Sequence, residues 1–153
     1  MSKSLTRVRT ALEGTSAIVL EPGPARTAEM AAQAVGCEVD QIAKSIIFRG
    51  EESGTALLFI TAGGNQVDPA KASALAGEPL GKADAALIRA QTGFAIGGVA
   101  PVGHLNPIRA FFDRRLGEFS LVFAAAGTPR HVFSLSPGDL MQLSGAQDAD
   151  FTA

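Results

Sequence analysis

The sequence has little cysteine, histidine and charge, and each shortage excludes a class of protein. One cysteine in 153 residues rules out a disulfide framework and a cysteine-rich zinc site, and two histidines far apart give poor support for a histidine metal site. Charged residues make up 18% of the chain, and 13 basic against 15 acidic residues give a net charge of −2. Binding along duplex nucleic acid needs many unpaired cations, so this balance argues against a double-stranded DNA binder.

Long apolar runs are also absent. The basic residues near the N-terminus are not followed by an apolar signal segment, and the longest apolar stretches, such as residues 56–60, have the length of a strand. We therefore expect a cytoplasmic protein without membrane contact. The chain does contain 46% hydrophobic residues, enough to bury a core. This predicts one domain over residues 1–146 and a polar C-terminal tail over residues 147–153.

Helical and strand patterns alternate along the chain. Helices are predicted where amphipathic stretches begin at a capping residue or end at a glycine, and strands where apolar residues form short runs. The predicted helices are residues 4–12, 28–35, 69–76, 84–91 and 137–144; the predicted strands are 17–20, 44–48, 56–61, 94–96, 108–112, 121–125 and 131–135. This order predicts an α+β (mixed α/β) fold, a single domain with a curved, barrel-like mixed sheet flanked by helices.

Lys44 is the first candidate for a functional residue. Side chains alternate along a strand, so Lys44 shares a face with Ile46 and Phe48. If that face is buried, the ammonium group lies at the sheet edge and points into a cleft. The alternative is a lysine that extends into water, as most lysines beside strands do.

The second candidate is the loop from Gly97 to Pro101. Its glycines allow the backbone to approach a ligand closely, and consecutive N–H groups can converge on an oxygen atom. The alternative is a loop that only turns the chain. Neither GxxxxGK[ST] nor GxGxxG between a strand and a helix occurs, which disfavours nucleotide hydrolysis.

The remaining candidates have equally simple structural explanations. His131 shares a strand face with Phe133 and Leu135, as a hydrogen-bonded core histidine does, and His104 lies in a loop and is expected to be solvated. Asp113 ends an apolar run and can pair with a following arginine. Cys37 follows a helix C-terminus, where the helix dipole does not favour a thiolate, so a nucleophilic role is not expected. Composition and spacing alone predict a site made of a lysine, a glycine loop and a histidine. They do not indicate which reaction the site catalyses.

An ordered set of short motifs resembles the YbaK/prolyl-tRNA-synthetase-associated domain family. The resemblance runs from about residue 27 to 143, and its ordered set is more specific than any one motif. The motifs are Thr27-Ala28-Glu29, Ala31-Ala32, Gly36, Ile42-Ala43-Lys44-Ser45, Val67-Asp68-Pro69-Ala70-Lys71, Thr92-Gly93, Gly97-Gly98-Val99-Ala100-Pro101, Asp113-Arg114-Arg115-Leu116, Gly127 and His131-Val132-Phe133.

The resemblance implies a hydrolase that acts on an ester bond, a trans-editing aminoacyl-tRNA deacylase. Its substrate would be tRNA mischarged with a small amino acid, alanine or a near homologue, with proline tRNA as one candidate. The partner would be the acceptor end of that tRNA, with an aminoacyl-tRNA synthetase as a further candidate. The alternative is a non-catalytic module of the same fold that binds aminoacyl-tRNA or another small ligand. The oligomeric state stays open.

The resemblance also implies which residues form the site. The expected catalytic residues are Lys44, Gly97 and Gly98. The expected substrate-binding residues are Val99, Ala100, Pro101, Asp113, Gly127 and His131. Water activation would be assisted by a ribose hydroxyl of the tRNA, with no metal and no cofactor, and His131 would sense the size of the aminoacyl group. A net charge of −2 then predicts weak, salt-sensitive tRNA affinity.

Overall fold

A computed structural model describes residues 2–153, which form five α-helices and eight β-strands. The helices are α1 (Lys3–Ala11), α2 (Ala28–Val35), α3 (Pro69–Ala76), α4 (Ala85–Thr92) and α5 (Pro137–Ser144). The strands are β1 (Ile18–Leu20), β2 (Ala43–Gly50), β3 (Ala56–Ala62), β4 (Leu80–Lys82), β5 (Arg109–Asp113), β6 (Val122–Ala125), β7 (Val132–Leu135) and β8 (Gln147–Ala149). Two 3₁₀ turns, Val39–Gln41 and Arg114–Glu118, complete the pattern.

The strands form two sheets. One has three antiparallel strands in the order β1-β7-β6, and the other has five strands in the order β4-β2-β3-β5-β8, with β5 parallel to both of its neighbours. The mixed α/β prediction is confirmed, but the expected single barrel-like sheet is wrong. The two sheets are connected through one bridge, between Ile42 before β2 and Phe123 in β6.

Local capping explains the helix boundaries. Thr27 accepts the backbone N–H of Met30 at the start of α2, and Gly36 ends that helix in a left-handed conformation. Asp68 caps α3, whose first residue is the predicted Pro69, and Gly77 ends it. The predicted N-caps and glycine stops of these helices are therefore confirmed.

The hairpin predicted from residues 44–48 and 56–61 is present as the antiparallel pair β2 and β3. Every residue of β3 is buried, because this strand lies in the middle of the larger sheet and carries core residues on both faces. Leu58 and Ile60 belong to the main core, whereas Leu57 and Phe59 belong to a second cluster on the opposite face. The position of β2 beside this strand fixes where Lys44 lies.

Two expectations about short segments are wrong. Residues 94–96 form no strand. Phe94 is a loop residue that is buried in the main core, which explains the apolar character of the segment. Residues 147–153 are not a frayed polar tail, because β8 pairs with β5 and Phe151 packs in the second cluster with no exposed surface. The segment is mostly polar apart from Phe151, so its composition does not indicate the strand β8.

No helix within residues 2–153 combines the length and the apolar character needed to cross a membrane.

Candidate functional site

A cavity of about 280 Å³ lies where the two sheets meet. It is bounded by the loop before α2, the start of β2, the predicted glycine loop, strand β6 and the segment that leads into β7. Its lining residues are Pro22, Gly23, Ala25, Arg26, Thr27, Ala28, Ala31, Ile42, Ala43, Lys44, Ser45, Ile47, Ile88, Ile96, Gly97, Val99, Phe123, Ala124, Ala125, Thr128, Pro129, His131 and Val132.

Small and aliphatic side chains shape the base of this cavity. Ala31 of α2 packs in one buried cluster with Ile42 and Phe123, the two residues of the bridge between the sheets. Ala28, one turn earlier, also lines the cavity. Because alanines face the bridge, α2 can approach the sheets and still leave space beside them. The surroundings suit a small apolar group with a few polar contacts at its edge.

Lys44 lies on the cavity wall and is half-buried. Its ammonium nitrogen donates to the carbonyl oxygen of Gly63 at 3.2 Å, so the side chain does not simply extend into water. Its strand neighbours Ile46 and Phe48 pack against the second core cluster, as the alternation predicts. An ammonium group has three donors, and the bond to Gly63 uses one of them. The other two can contact a ligand.

Asp40 supplies negative charge near Lys44. Its carboxylate accepts the Arg115 side chain at 2.9 Å and the Gly64 N–H at 2.8 Å. The hydrogen bond from the Arg115 side chain, aided by that from Gly64 and by the positive charge of Lys44, lowers the pKa of Asp40 below its usual value. The carboxylate is therefore ionised at neutral pH.

The predicted glycine loop divides into a part at the cavity and a part in the core. Gly97 and Val99 line the cavity, whereas Ala100 and Pro101 are buried away from it. Gly98 is also buried, and its N–H donates to the Ala95 carbonyl at 3.1 Å. That N–H is therefore occupied by a backbone contact and is not free for a ligand.

Gly98 has a packing role that requires the absence of a side chain. A Cβ atom at this position would lie 2.8 Å from the Cα of Thr128. This close approach holds the glycine loop against the segment that carries Thr128 and His131. The two sides of the cavity are thereby fixed relative to each other.

His131 lines the cavity with both of its ring nitrogens facing polar groups. Nδ1 lies 2.6 Å from the Thr128 hydroxyl, and Nε2 lies 3.5 Å from a carboxylate oxygen of Glu21. Arg130 faces the other oxygen of Glu21 at 3.6 Å. The ring is thus oriented from both ends. His131, Lys44 and Gly97 all line this one cavity.

Asp113 and Gly127 lie outside the cavity lining. Asp113 is 4% exposed and accepts hydrogen bonds from Ala62 N–H, Asn65 Nδ2 and Arg115 N–H. Its contact with Arg115 is made to the backbone, not to the guanidinium group as the sequence suggests.

Gly127 packs on the first turn of α1, where an added Cβ would meet the Ser4 carbonyl. Neither position offers a contact to a molecule in the cavity.

His104 differs from its expected solvated state. Its Nε2 donates to the Ala100 carbonyl at 2.7 Å, and its ring meets the Phe94 ring edge to face at 5.8 Å. Burial lowers the pKa of His104 below its ordinary value, so the ring is neutral in the fold. His104 therefore supports the end of the glycine loop from the core side.

The surroundings of Cys37 do not favour a thiolate. Burial, and then the negative charge of Glu38, raise the pKa of its thiol. Among residues 2–153, no group of three or more His, Cys, Asp or Glu side chains is placed to hold a metal ion.

Three further residues at the cavity were not predicted from the sequence. Thr128 orients His131, and Arg26 adds an exposed positive charge to the lining. Ser45 lies beside Lys44 with a buried hydroxyl that has no hydrogen-bond partner among residues 2–153. Thr128 could have been found from its position three residues before His131 in a turn. Arg26 and Ser45 carry no distinctive pattern.

Residues 22–143 match the aminoacyl-tRNA editing domain family. YwhH of Bacillus subtilis (strain 168) is 33% identical over 118 residues, which are 77% of this chain and 74% of YwhH. The "Putative Cys-tRNA(Pro)/Cys-tRNA(Cys) deacylase EbsC" of Enterococcus faecalis (strain ATCC 700802 / V583) is 25% identical over 130 residues, 82% of this chain and 77% of EbsC.

The whole chain is also similar to solved structures. The crystal structure of "a putative trans-editing enzyme for prolyl tRNA synthetase" is 48% identical with a TM-score of 0.90, and the match covers 100% of this chain and 99% of that one. The hypothetical protein APE2540 is 27% identical with a TM-score of 0.87, over 96% of this chain and 99% of that one.

Proposed function

The chain belongs to the aminoacyl-tRNA editing domain family, and on that premise we propose that it is a trans-editing deacylase. It hydrolyses the ester that joins a wrong, small amino acid to the 3′ end of tRNA. The single observation that carries this proposal is the convergence of Lys44, Gly97 and His131 on one small, largely apolar cavity. The 48% identity to a structure described as a putative trans-editing enzyme for prolyl tRNA synthetase supports action in trans.

Lys44 holds the reacting end of the tRNA in this proposal. Its ammonium is anchored on the Gly63 carbonyl and has two donors left. These donors reach a phosphate oxygen of the terminal nucleotide or the ester itself, and the bond to Gly63 limits the number of positions that the ammonium can adopt. Orientation of this kind accelerates hydrolysis because the reactants are already positioned when water attacks.

Gly97 stabilises the negative charge that develops on the carbonyl oxygen. Its backbone lines the cavity, whereas the N–H of Gly98 is already bonded to Ala95. The oxyanion contact is therefore assigned to Gly97 and not to both glycines. A single donor of this type contributes roughly 3 kcal/mol in the transition state.

His131 forms a wall of the aminoacyl pocket and is not the general base. Its Nδ1 is bonded to Thr128 and its Nε2 faces Glu21, so neither nitrogen is free to accept a proton from water. Activation of water is assigned to a ribose hydroxyl of the substrate. The fixed ring then limits the size of the amino acid that fits between it and the aliphatic wall.

We propose alanine or a near homologue as the amino acid removed, with proline tRNA as the carrier. Ala28, Ala31 and Ile42 offer apolar contacts and little room for a long side chain. One methylene changes binding in such a pocket by only about 1–3 kcal/mol, so neighbouring small amino acids compete. EbsC carries cysteine in its name, which makes cysteine the first competitor to compare.

A deacylation panel tests the proposal. Proline and cysteine tRNAs charged with alanine, cysteine, serine, threonine or proline are incubated with the wild type, Lys44→Ala and Lys82→Ala. Lys82 is exposed on β4 and lies outside the cavity, so it serves as the matched control. We expect hydrolysis of a small aminoacyl ester by the wild type and Lys82→Ala, with a loss of at least about tenfold in Lys44→Ala.

A wild type that leaves every charged tRNA intact contradicts the proposal. If a separate binding measurement showed that the wild type retains these tRNAs without hydrolysing them, the protein would instead be a non-catalytic module that captures aminoacyl ends.

A further inference from the structure

We propose that Asp113 is a positioning residue for Lys44, acting through the turn of residues 62–65. This inference rests on the proposed function for its kinetic consequence, whereas its structural part can be measured separately. Asp113 ends β5, and Lys44 is the second residue of β2; these two strands are separated by β3 in the larger sheet. The turn that follows β3 connects them.

Both carboxylate oxygens of Asp113 accept hydrogen bonds, and they bind different segments of the chain. Oδ1 accepts the Arg115 N–H at 2.9 Å and thereby caps the 3₁₀ turn after β5. Oδ2 accepts the Ala62 N–H at 3.0 Å and the Asn65 side-chain amide at 2.9 Å. Capping alone needs one acceptor, so the second oxygen serves the 62–65 turn.

The turn is held tightly at both of its ends. The Asn65 N–H closes it by donating to the Ala62 carbonyl at 2.9 Å. The two residues between them are Gly63 and Gly64, and a Cβ atom at either would collide with Val39 or Asp40. The backbone of the turn therefore packs directly on the segment before β2, and substitutions within the turn itself would disturb that packing.

Lys44 takes its anchor from this turn. Its ammonium donates to the Gly63 carbonyl, the peptide oxygen between the two positions that Asp113 binds. A second carboxylate holds the other side, because Asp40 accepts the Gly64 N–H and is itself bound by the Arg115 side chain. Asp113 and Arg115 thus restrain the carbonyl that orients Lys44, although neither residue lines the cavity.

The substitution Asp113→Asn isolates this role. Asparagine retains one carbonyl oxygen for the cap, but its NH₂ group would face Ala62 N–H or Asn65 NH₂, both of which are donors. The turn then loses an anchor while the residue volume is conserved. Asp148→Asn is the matched control, since Asp148 is an exposed carboxylate on the adjacent β8 that pairs with Arg114.

The kinetic test is a double-mutant cycle in the deacylation assay. We expect Asp113→Asn to lower kcat by about 10- to 100-fold with little change in KM, because misplacement of an orienting group has effects of that order. In a Lys44→Ala background, Asp113→Asn should have no further effect on the residual rate. Equal losses in both backgrounds would indicate a general structural role and would overturn the proposal.

The structural test does not depend on activity. The ¹⁵Nζ signal of Lys44, assigned by its absence from Lys44→Ala, reports how fast the ammonium protons exchange with water. We expect faster exchange in Asp113→Asn and wild-type exchange in Asp148→Asn. Unchanged exchange in Asp113→Asn would refute the positioning role, even if the wild type proved to have no deacylase activity.

A second variant covers the case in which Asp113→Asn fails to fold. Asn65→Ala removes one donor to Oδ2 and leaves Asp113 with its two backbone contacts. It should speed the exchange of the Lys44 ammonium protons by a smaller factor. Wild-type exchange in this variant would count against the proposal.

Discussion

The hydroxyl oxygen of Thr128 lies 2.6 Å from Nδ1 of His131. The same oxygen accepts the Arg130 N–H at 3.2 Å, so its own proton is available for Nδ1. We infer that His131 carries its proton on Nε2, the nitrogen that faces Glu21. Thr128 therefore sets both the tautomer and the orientation of the ring that bounds the cavity.

Thr128→Val should weaken the selection of small amino acids. Valine has nearly the same shape but cannot donate to Nδ1, and a lost hydrogen bond of this kind is worth about 1 kcal/mol. We expect the ratio of kcat/KM for alanyl-tRNA to that for prolyl-tRNA to fall by about fivefold. Thr10→Val, on the exposed side of α1, is the control. An unchanged ratio in Thr128→Val would show that the ring needs no such anchor.

Gly98→Ala should be destabilising. Its Cβ would lie within 2.8 Å of the Thr128 backbone, and forced overpacking costs about 1–3 kcal/mol. Gly138→Ala is the matched control, because Gly138 lies in α5 with no atom within 4 Å of its added Cβ. Alanine there should stabilise the protein by up to about 1 kcal/mol. Urea unfolding measures both, and equal free energies of unfolding for Gly98→Ala and the wild type would contradict the packing argument.

Local chemistry made much of the fold predictable. Thr27 and Gly36 mark the ends of α2, and Asp68-Pro69 marks the start of α3, because capping depends on neighbouring residues alone. The β2–β3 hairpin follows from two apolar runs separated by a polar turn. The division into two sheets could not be predicted, since it depends on which strands pair, and partners such as β1 and β7 are far apart in the sequence.

The site was predictable only in part, for the same reason. Lys44 lies in a recognisable strand, His131 directly precedes another, and the glycine loop has a recognisable composition. Whether a loop residue faces the cavity or the core is decided by long-range packing, which separates Gly97 from Ala100. Asp113 illustrates the limit most clearly, because its partners in the 62–65 turn lie about fifty residues earlier in the sequence.

Phe151→Ala should cost about 3–5 kcal/mol, the range for a fully buried phenylalanine. Phe151 has no exposed surface and meets Phe59 edge to face at 5.1 Å, so the C-terminal segment completes the second core cluster. Leu143→Ala, at a position that is 40% exposed, provides the comparison and should cost much less. Denaturant unfolding measures the free energy of unfolding of both variants. A large loss in Phe151→Ala alone would show that the C-terminal segment is part of the core. A wild-type midpoint for Phe151→Ala would contradict the structural role.

His104 should make the protein less stable below neutral pH. Its pKa in the folded state is lowered by burial, so the unfolded chain, with an ordinary histidine pKa of about 6.5, binds more protons between these two values. The resulting stabilisation is fully present above the ordinary pKa and is lost as the pH falls towards the folded one. His104→Gln retains a donor for the Ala100 carbonyl but does not titrate. Between pH 7.5 and 5.5, the Tm of the wild type should therefore fall further than that of His104→Gln. Parallel Tm curves would contradict a neutral, buried His104.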